Sequence, residues 1–419
     1  MPNNADQVLF DREGRHEFIR PFVERGFVVI ALKANIPGPD KRLFAAYLIV
    51  GYFERLLDKI PHMEKHIKDG FEGPARYYVI KTDDPEKIKQ DMMFLEAHRP
   101  FGRLVDLDVH ANSTKSLSRA IPRKCLICEQ DAFVCGRNQT HPLSDLLGLI
   151  QTMAYKDCEA IIRELIDRSI MAELDLDPKF GLVTPKSNGS HPDMNYAMML
   201  NAKMAIIPFL LAMFKAGWNE ISTSNLFHEA RKIGLEAETA MLRATKGVNA
   251  YKGLIFNLGL MVSSLGFIIK GHLPLKSIFD VIQSMTTPLK NEFLSDGNTP
   301  GLTAYHEYGL MGARGEAMEG FPTVCKILPA LKDLNRESLL SALVQAIRIS
   351  DDTVLVKRAG SYAKMREIQS WFAELDVHDE NALKLMTRRC VESNISFGGA
   401  ADLLVCAVFY QLVSDTFAL

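Results

Sequence analysis

Near residue 144 the hydrophobic period of this sequence changes from two to between three and four, and it does not change back. Before that point, short runs rich in β-branched and aromatic residues lie at Phe27–Leu32 (FVVIAL), Ala75–Ile80 (ARYYVI) and Leu104–Val109 (LVDLDV), the pattern of strands. Residues 41–59 and 85–97 between them read as helices. From Ser144, apolar Leu147, Ile150, Ala154, Cys158, Ile161, Leu165 and Ile166 recur at helical spacing for about six turns. Beyond Gly181 the apolar periodic stretches, near 194–216, 223–243, 248–270, 336–349, 379–391 and 400–416, all have the helical period. The pattern predicts a mixed α+β domain over 1–157, followed by an all-α domain over 158–419, with a long amphipathic helix carrying the chain from one to the other.

With 419 residues, 47% of them hydrophobic, the chain can bury two sizeable cores. Its 49 basic and 51 acidic side chains leave a formal charge of −2. No global field therefore draws it to nucleic acid or an anionic membrane, and any anionic ligand must be held locally. Two apolar runs approach membrane-spanning length, Ala197–Trp218 and Leu254–Ile269. The first is broken by Asn201, Lys203 and Pro208 and the second is short and holds Asn257, so both are expected to be core helices. No basic segment followed by an apolar one opens the sequence, and the seven cysteines are an odd number. Both features predict a cytoplasmic protein whose cysteines are reduced thiols or metal ligands.

In the first part, Asp106 and Asp108 alternate with Val105, Leu107 and Val109, so on a strand both carboxylates leave one face. Two such acids can hold Mg²⁺ for phosphoryl or nucleotidyl transfer, although a solvated strand edge has the same pattern. The loop Lys33–Lys41 (KANIPGPDK) can present backbone amides and Lys41 to a phosphate, or be an ordinary turn. Arg103, Arg119 and Arg123 are further phosphate candidates. Cys125, Cys128, Cys135 and His141 stand in C-x2-C-x6-C-x5-H, which fits a structural Zn²⁺ site as well as it fits packed thiols.

In the second part, six polar clusters, five of them bearing glycine, interrupt the helices: 178–181 (PKFG), 188–194 (NGSHPDM), 245–253 (TKGVNAYKG), 312–322 (GARGEAMEGFP), 351–358 and 394–404 (NISFGGAADLL). Glycine weakens helices, but at a helix start it lets backbone amides reach an anion, so the clusters point to a shared polyphosphate site. Some must instead be caps and tight turns. Lys179, Lys252, Arg314 and Arg358 are the cations for a triphosphate, with Gly247, Asn249, Gly398 and Gly399 as amide or polar contacts. Asp193, Glu238, Glu316, Asp352 and Asp402 are the acids for Mg²⁺ or a proton, and His191 is a further acid–base candidate.

The run from His98 to Val109 (HRPFGRLVDLDV), with Ser118-Arg119, the Cys125…Cys128…Cys135…His141 segment and the Asn35–Lys41 loop, resembles the holo-citrate lyase synthase family over roughly residues 10–155. These are the apo-citrate lyase phosphoribosyl-dephospho-CoA transferases. From about residue 158, PKFG, NGSHPDM, GLEAETAMLRATKGVNAYKG, GARGEAMEGFP, SDDT and SFGGAADLL resemble, in order, the motifs of the triphosphoribosyl-dephospho-CoA synthase family. Its usual pattern is departed from at four places: Phe180 for a second proline, Ala250-Tyr251 for Thr-His, Val354 for Asn and Ala359 for Gly.

The double resemblance implies a nucleotidyltransferase-type first domain and a bifunctional transferase. Its second domain would join ATP to dephospho-CoA with release of adenine, using Asp193 or Glu316 on the developing charge, Asp352 for Mg²⁺ and Lys252 and Arg314 on the phosphates. Its first domain, with Mg²⁺ at Asp106 and Asp108, would attach the product to a serine of the citrate lyase acyl-carrier subunit with release of pyrophosphate. The same chemistry on a malonate decarboxylase carrier, or a zinc-stabilised binding module fused to a helical domain, are the alternatives.

Overall fold

The computed structural model describes residues 4–119, 121–294 and 300–419. The chain divides into two compact units, residues 1–161 with 414–419, and residues 162–413.

The first unit is built on a four-stranded antiparallel sheet of β1 (Val28–Ala34), β2 (Glu64–Gly70), β3 (Gly73–Ile80) and β4 (Val105–His110), in the order β2-β3-β1-β4. Helices α1 (Asn4–Glu24), α2 (Phe44–Leu57) and α3 (Pro85–His98) complete it, with the short α4 (Ala132–Arg137) beyond β4. Directly paired residues of an antiparallel ladder share a face. Val29 and Ala31 therefore lie on the face where Tyr77 sits and where Ile19 and Val23 of α1 pack. The opposite face carries Val28, Ile30 and Leu32, all three buried.

Two elements here have no apolar signal in the sequence. Strand β2 (EKHIKDG) is an edge strand whose residues are half-buried or exposed, and an edge needs no hydrophobic face. Helix α1 has scattered charge on all sides but still buries Ile19 and Val23. The chain's last residues also belong to this unit. The Ala418 N–H donates to the Gly51 carbonyl at 3.1 Å, and Phe417, 1% exposed, lies 5.9 Å from the Tyr52 ring. A side chain at position 51 would meet the Ala418 carbonyl oxygen at 2.8 Å.

Helix α5 (Leu143–Leu174) runs through the change of unit. The second unit is helical, and no strand is present among its described residues. Its core is α6 (Tyr196–Asn219), α7 (Thr223–Ala244) and α8 (Lys252–Lys270), packed on one another. Helices α6 and α8 are each long and apolar enough to cross a membrane, yet 50% and 78% of their most apolar windows are buried within the protein. They cross at glycine, where a Cβ on Gly217 would stand 1.8 Å from the Ser263 carbonyl oxygen, so no other residue permits the approach.

Shorter helices follow: α9 (Ser277–Thr286), α10 (Pro300–Tyr308), α11 (Gly312–Met318), α12 (Pro322–Ile327), α13 (Arg336–Ile349), α14 (Thr353–Ala359), α15 (Tyr362–Ser370), α16 (Glu380–Glu392) and the buried α17 (Gly398–Thr416). Several of them span two turns or fewer, too short to display a period.

Candidate functional site

The register of the first unit gathers its charged residues on one face. Lys33 pairs with Asp106 and Ala31 with Asp108, so both carboxylates lie on the Val29–Ala31–Lys33 side of the sheet. Burial, and then the charge of Asp108, raises the Asp106 carboxyl above its usual range, with Lys33 opposing. Two half-buried acids that repel one another have the chemistry to hold a cation. Glu72 holds Arg15 at 2.9 Å and Lys33 at 3.7 Å. Lys41 donates to the Ile36 carbonyl, and burial together with Arg12 and Lys33 lowers its ammonium to about 8.

The same period of two reaches His110, a residue the sequence reading passed over. Its Nδ1 donates to the Thr114 carbonyl at 2.9 Å, which leaves Nε2 as a lone pair, buried without a partner. Arg119 and Arg123 are held by Glu96, and Arg123 also donates to the Val105 carbonyl at 2.7 Å. Arg103 turns away, donating to the Lys124 carbonyl at 2.8 Å.

After β4 the chain forms a knuckle, with the Cys125 N–H donating to the Gln130 carbonyl at 2.7 Å. It brings the ligand atoms of Cys125, Cys128, Cys135 and His141 within 4.8 Å of one another. A tetrahedral zinc with sulfur at about 2.3 Å sets its ligands roughly 3.8 Å apart, so the four fit a structural Zn²⁺. Burial opposes a thiolate at Cys125, but the Ile127 and Cys128 amides and the neighbouring thiols outweigh it and lower Cys125 to about 6.

In the second unit all six interrupting clusters reach one cavity of about 650 Å³. Each contributes: Lys179, His191, Asn249 to Gly253, Glu316, Asp351 with Arg358, and Ser396 with Asp402. Loops far apart in sequence are knitted together at its wall. Arg358 donates to the Ser190 and Asn394 carbonyls at 3.1 and 3.0 Å and to His191 Nδ1 at 3.2 Å. A guanidinium only donates, so His191 Nδ1 accepts and its proton sits on Nε2, which donates to Ser396 Oγ at 2.8 Å. Burial, and then Arg358, holds His191 below its usual pKa, in agreement with this neutral form.

The remaining predicted residues divide by position. Lys179 is 1% exposed and is bound to Glu173, by Oε1 at 2.8 Å and by its carbonyl at 2.7 Å. Asp352 is a double cap. Its Oδ1 accepts from the Val354 and Leu355 amides at 2.8 and 3.1 Å, and its Oδ2 from the Gly399 amide at 3.0 Å. It thus ties the start of α14 to the start of α17, and burial raises its carboxyl despite these amides. Glu316 faces the cavity while accepting from Thr323, by its hydroxyl and by its amide at 3.2 Å. Burial raises Glu316 as well. Gly398 and Gly399 open α17 at the cavity wall.

Three predicted residues lie elsewhere. Asp193 is exposed and does not line the cavity. Gly247 also stands outside it and closes α7, donating to the Leu242 carbonyl at 2.7 Å in a Schellman turn. Arg314 lines a second cavity of about 360 Å³, where its Nε lies 3.3 Å from Glu292. Lys252 belongs to both cavities and pairs with Glu238 at 2.8 Å.

The four departures from the familiar motifs have local meaning in two cases. Phe180 has a φ of +43°, which a proline ring cannot adopt, and packs edge-on against Phe372. Tyr251 is buried and faces the cavity.

Two family models match the chain. Residues 3–157 match CitX, apo-citrate lyase phosphoribosyl-dephospho-CoA transferase, and residues 159–418 match CitG, ATP:dephospho-CoA triphosphoribosyl transferase. The protein CitXG of Leuconostoc mesenteroides subsp. cremoris is 31% identical, over 97% of this chain and 96% of its own length. The protein CitXG of Haemophilus influenzae is 33% identical, over 81% and 79%. A probable 2-(5''-triphosphoribosyl)-3'-dephosphocoenzyme-A synthase of Lactiplantibacillus plantarum is 33% identical, matching 62% of this chain along 100% of its own. The chain belongs to the CitXG family, transferases that carry a CitX domain and a CitG domain in one polypeptide and serve the prosthetic group of citrate lyase.

Proposed function

We propose that the second unit converts ATP and dephospho-CoA to triphosphoribosyl-dephospho-CoA and adenine, and that the first unit transfers this product to a serine of the citrate lyase acyl-carrier subunit, releasing pyrophosphate. The convergence of all six polar clusters on one cavity carries the first half of this reading. Substitution at the ribose C1′ passes through positive charge on that carbon, which a facing carboxylate stabilises. Glu316 faces the cavity and Asp193 does not, so Glu316 takes this role in our reading. The triphosphate is received by the cations at the rim, Lys252 and Lys357. Arg358 and Asp352 position the loops instead of touching phosphate.

For the first unit we propose a nucleotidyltransferase-type site at Asp106 and Asp108. Mg²⁺ bound there would neutralise charge on the transferring phosphoryl group. The half-buried, mutually repelling carboxylates fit such an ion. Lys33 and Lys41 contact the phosphates beside them, and His110 Nε2 receives the proton of the carrier serine. The Cys3His knuckle holds a structural zinc that braces the segment between β4 and α5.

The test incubates the chain with ATP, Mg²⁺, dephospho-CoA and the apo acyl-carrier subunit, following free adenine and the intact mass of the carrier. Adenine release with a phosphoribosyl-dephospho-CoA increment on the carrier is the expected result. An increment on a malonate decarboxylase carrier alone would move the assignment to that system. Absence of both signals from folded protein would overturn it.

A further inference from the structure

The floor of the larger cavity holds polar atoms that nothing in the chain satisfies. The Tyr251 hydroxyl, Asn257 Oδ1 and Ser350 Oγ are buried without hydrogen-bond partners, and their residues are 3%, 2% and 2% exposed. Folded chains keep few such groups, and three lining one cavity mark a place where a ligand completes the bonding. Asp402 lines the same floor and its carboxyl, among the described residues, makes no hydrogen bond or ion pair.

The backbone places these groups side by side. Gly253 and Asn257 are four residues apart on α8 and share a face of the helix, about 5–6 Å from one to the other. Asp402 Oδ2 lies 2.1 Å from where a Cβ on residue 253 would be, so its carboxyl rests directly on that face. Tyr251 caps the same helix one step earlier. Apolar Met199 and Leu403 complete the lining.

The local charge also selects the kind of ligand. Glu173 and Asp352 are near enough to raise Asp402, and Glu173 and Asp402 to raise Tyr251, and Lys179 is already spent on Glu173. A triphosphate is repelled from this end, whereas a neutral heterocycle with donors and acceptors on its edge is accepted. A carboxamide pairs in two places with the amino group and N7 of adenine.

We infer that this floor is the subsite for the adenine base of ATP, where Asn257 reads the amino edge and Asp402 supplies the proton with which the base departs. The inference rests on the cavity being the triphosphoribosyl transferase site. As the bond from C1′ to the base nitrogen breaks, its electron pair goes to adenine and the Asp402 carboxyl proton goes to the same ring system. The 2′-hydroxyl oxygen of dephospho-CoA forms the new bond to C1′, and its proton returns to the Asp402 carboxylate. One group thereby serves departure and attack with no net change. Burial, followed by the charges of Glu173 and Asp352, keeps Asp402 protonated well above the ordinary carboxyl range, the state this step requires.

Calorimetric binding of free adenine and hypoxanthine to the full chain, alongside adenine release from ATP plus dephospho-CoA, tests it. Adenine should bind at least about tenfold more tightly than hypoxanthine, whose carbonyl replaces the amino group, and Asn257→Ala should erase that preference. Asp402→Asn should bind adenine within about threefold of the parent but release it roughly 10²–10⁴-fold more slowly. That loss should shrink for an ATP analogue whose base leaves more readily. Asn257→Ala binding adenine like the parent, or Asp402→Asn slowing both nucleotides equally, would overturn the inference. If the parent releases no adenine from ATP, the transferase reading fails, and the base subsite still stands or falls on the binding of adenine itself.

Discussion

Replacing Asp352 with alanine separates a fastener from a metal ligand. Its Oδ1 caps α14 through two amides and its Oδ2 takes the Gly399 amide of α17, with the Ala400 amide also acting on the carboxyl. Loss of an N-cap costs about 1 kcal/mol. The two amides of α17 are then left in a buried place, at about 1–3 kcal/mol each. Removing the buried carboxyl returns part of this, so a net loss of about 3 kcal/mol is the working figure. For a unit of this size that lowers the melting temperature by roughly 6–12 °C. An asparagine in the same place would keep the α14 half and present its amino group to the α17 amides, so Asp352→Asn should fall between the two. The assay is calorimetric melting with and without millimolar Mg²⁺, with adenine release measured below the transition. The expected loss is the same at both Mg²⁺ levels. Unchanged melting, together with lost activity that added Mg²⁺ restores, would refute the cap and install Asp352 as a metal ligand.

Lys179→Met strands Glu173 as a buried unpaired acid and should cost about 3–5 kcal/mol in urea unfolding, much of it regained in Lys179→Met/Glu173→Gln. Metal analysis should find one zinc per chain, and Cys128→Ser should lose it and weaken carrier modification while leaving adenine release intact. Because the folded-state pKa of Asp402 lies above its unfolded value, the native chain binds the extra proton between the two. Stability therefore falls as pH rises above about 4, and Asp402→Asn should gain on the parent across that range in melting experiments. Lys41, lowered to about 8, should make carrier modification decline above that pH, and Lys41→Arg should carry the rate to higher pH.

Much of the architecture was written in apolar spacing. Helix α13 lies at the residues the period indicated, and the β1, β3 and β4 runs are each shifted by only one or two residues. Strand β2 escaped because an edge strand obeys no burial pattern, and α11 and α14 because two turns do not establish a period. The location of the cavity was legible in the polar clusters that interrupt the helical sequence, although some of their residues, Gly247 among them, serve as caps. The roles were not, since each depends on a distant partner: Asp352 on Gly399, Arg358 on Ser190, Lys179 on Glu173. Asn257 was visible only as a blemish in an apolar run, and its unsatisfied oxygen gives that blemish a purpose.

The return of residues 414–419 to the first unit sets the order in which the protein can be finished. A ribosome delivers residues 1–161 first, yet the place beside Gly51 and Tyr52 stays vacant until Phe417 and Ala418 have been made. The first unit is thus the first to be begun and is closed late, so loss of Phe417 and Ala418 should register as damage to the unit built from residues 1–161.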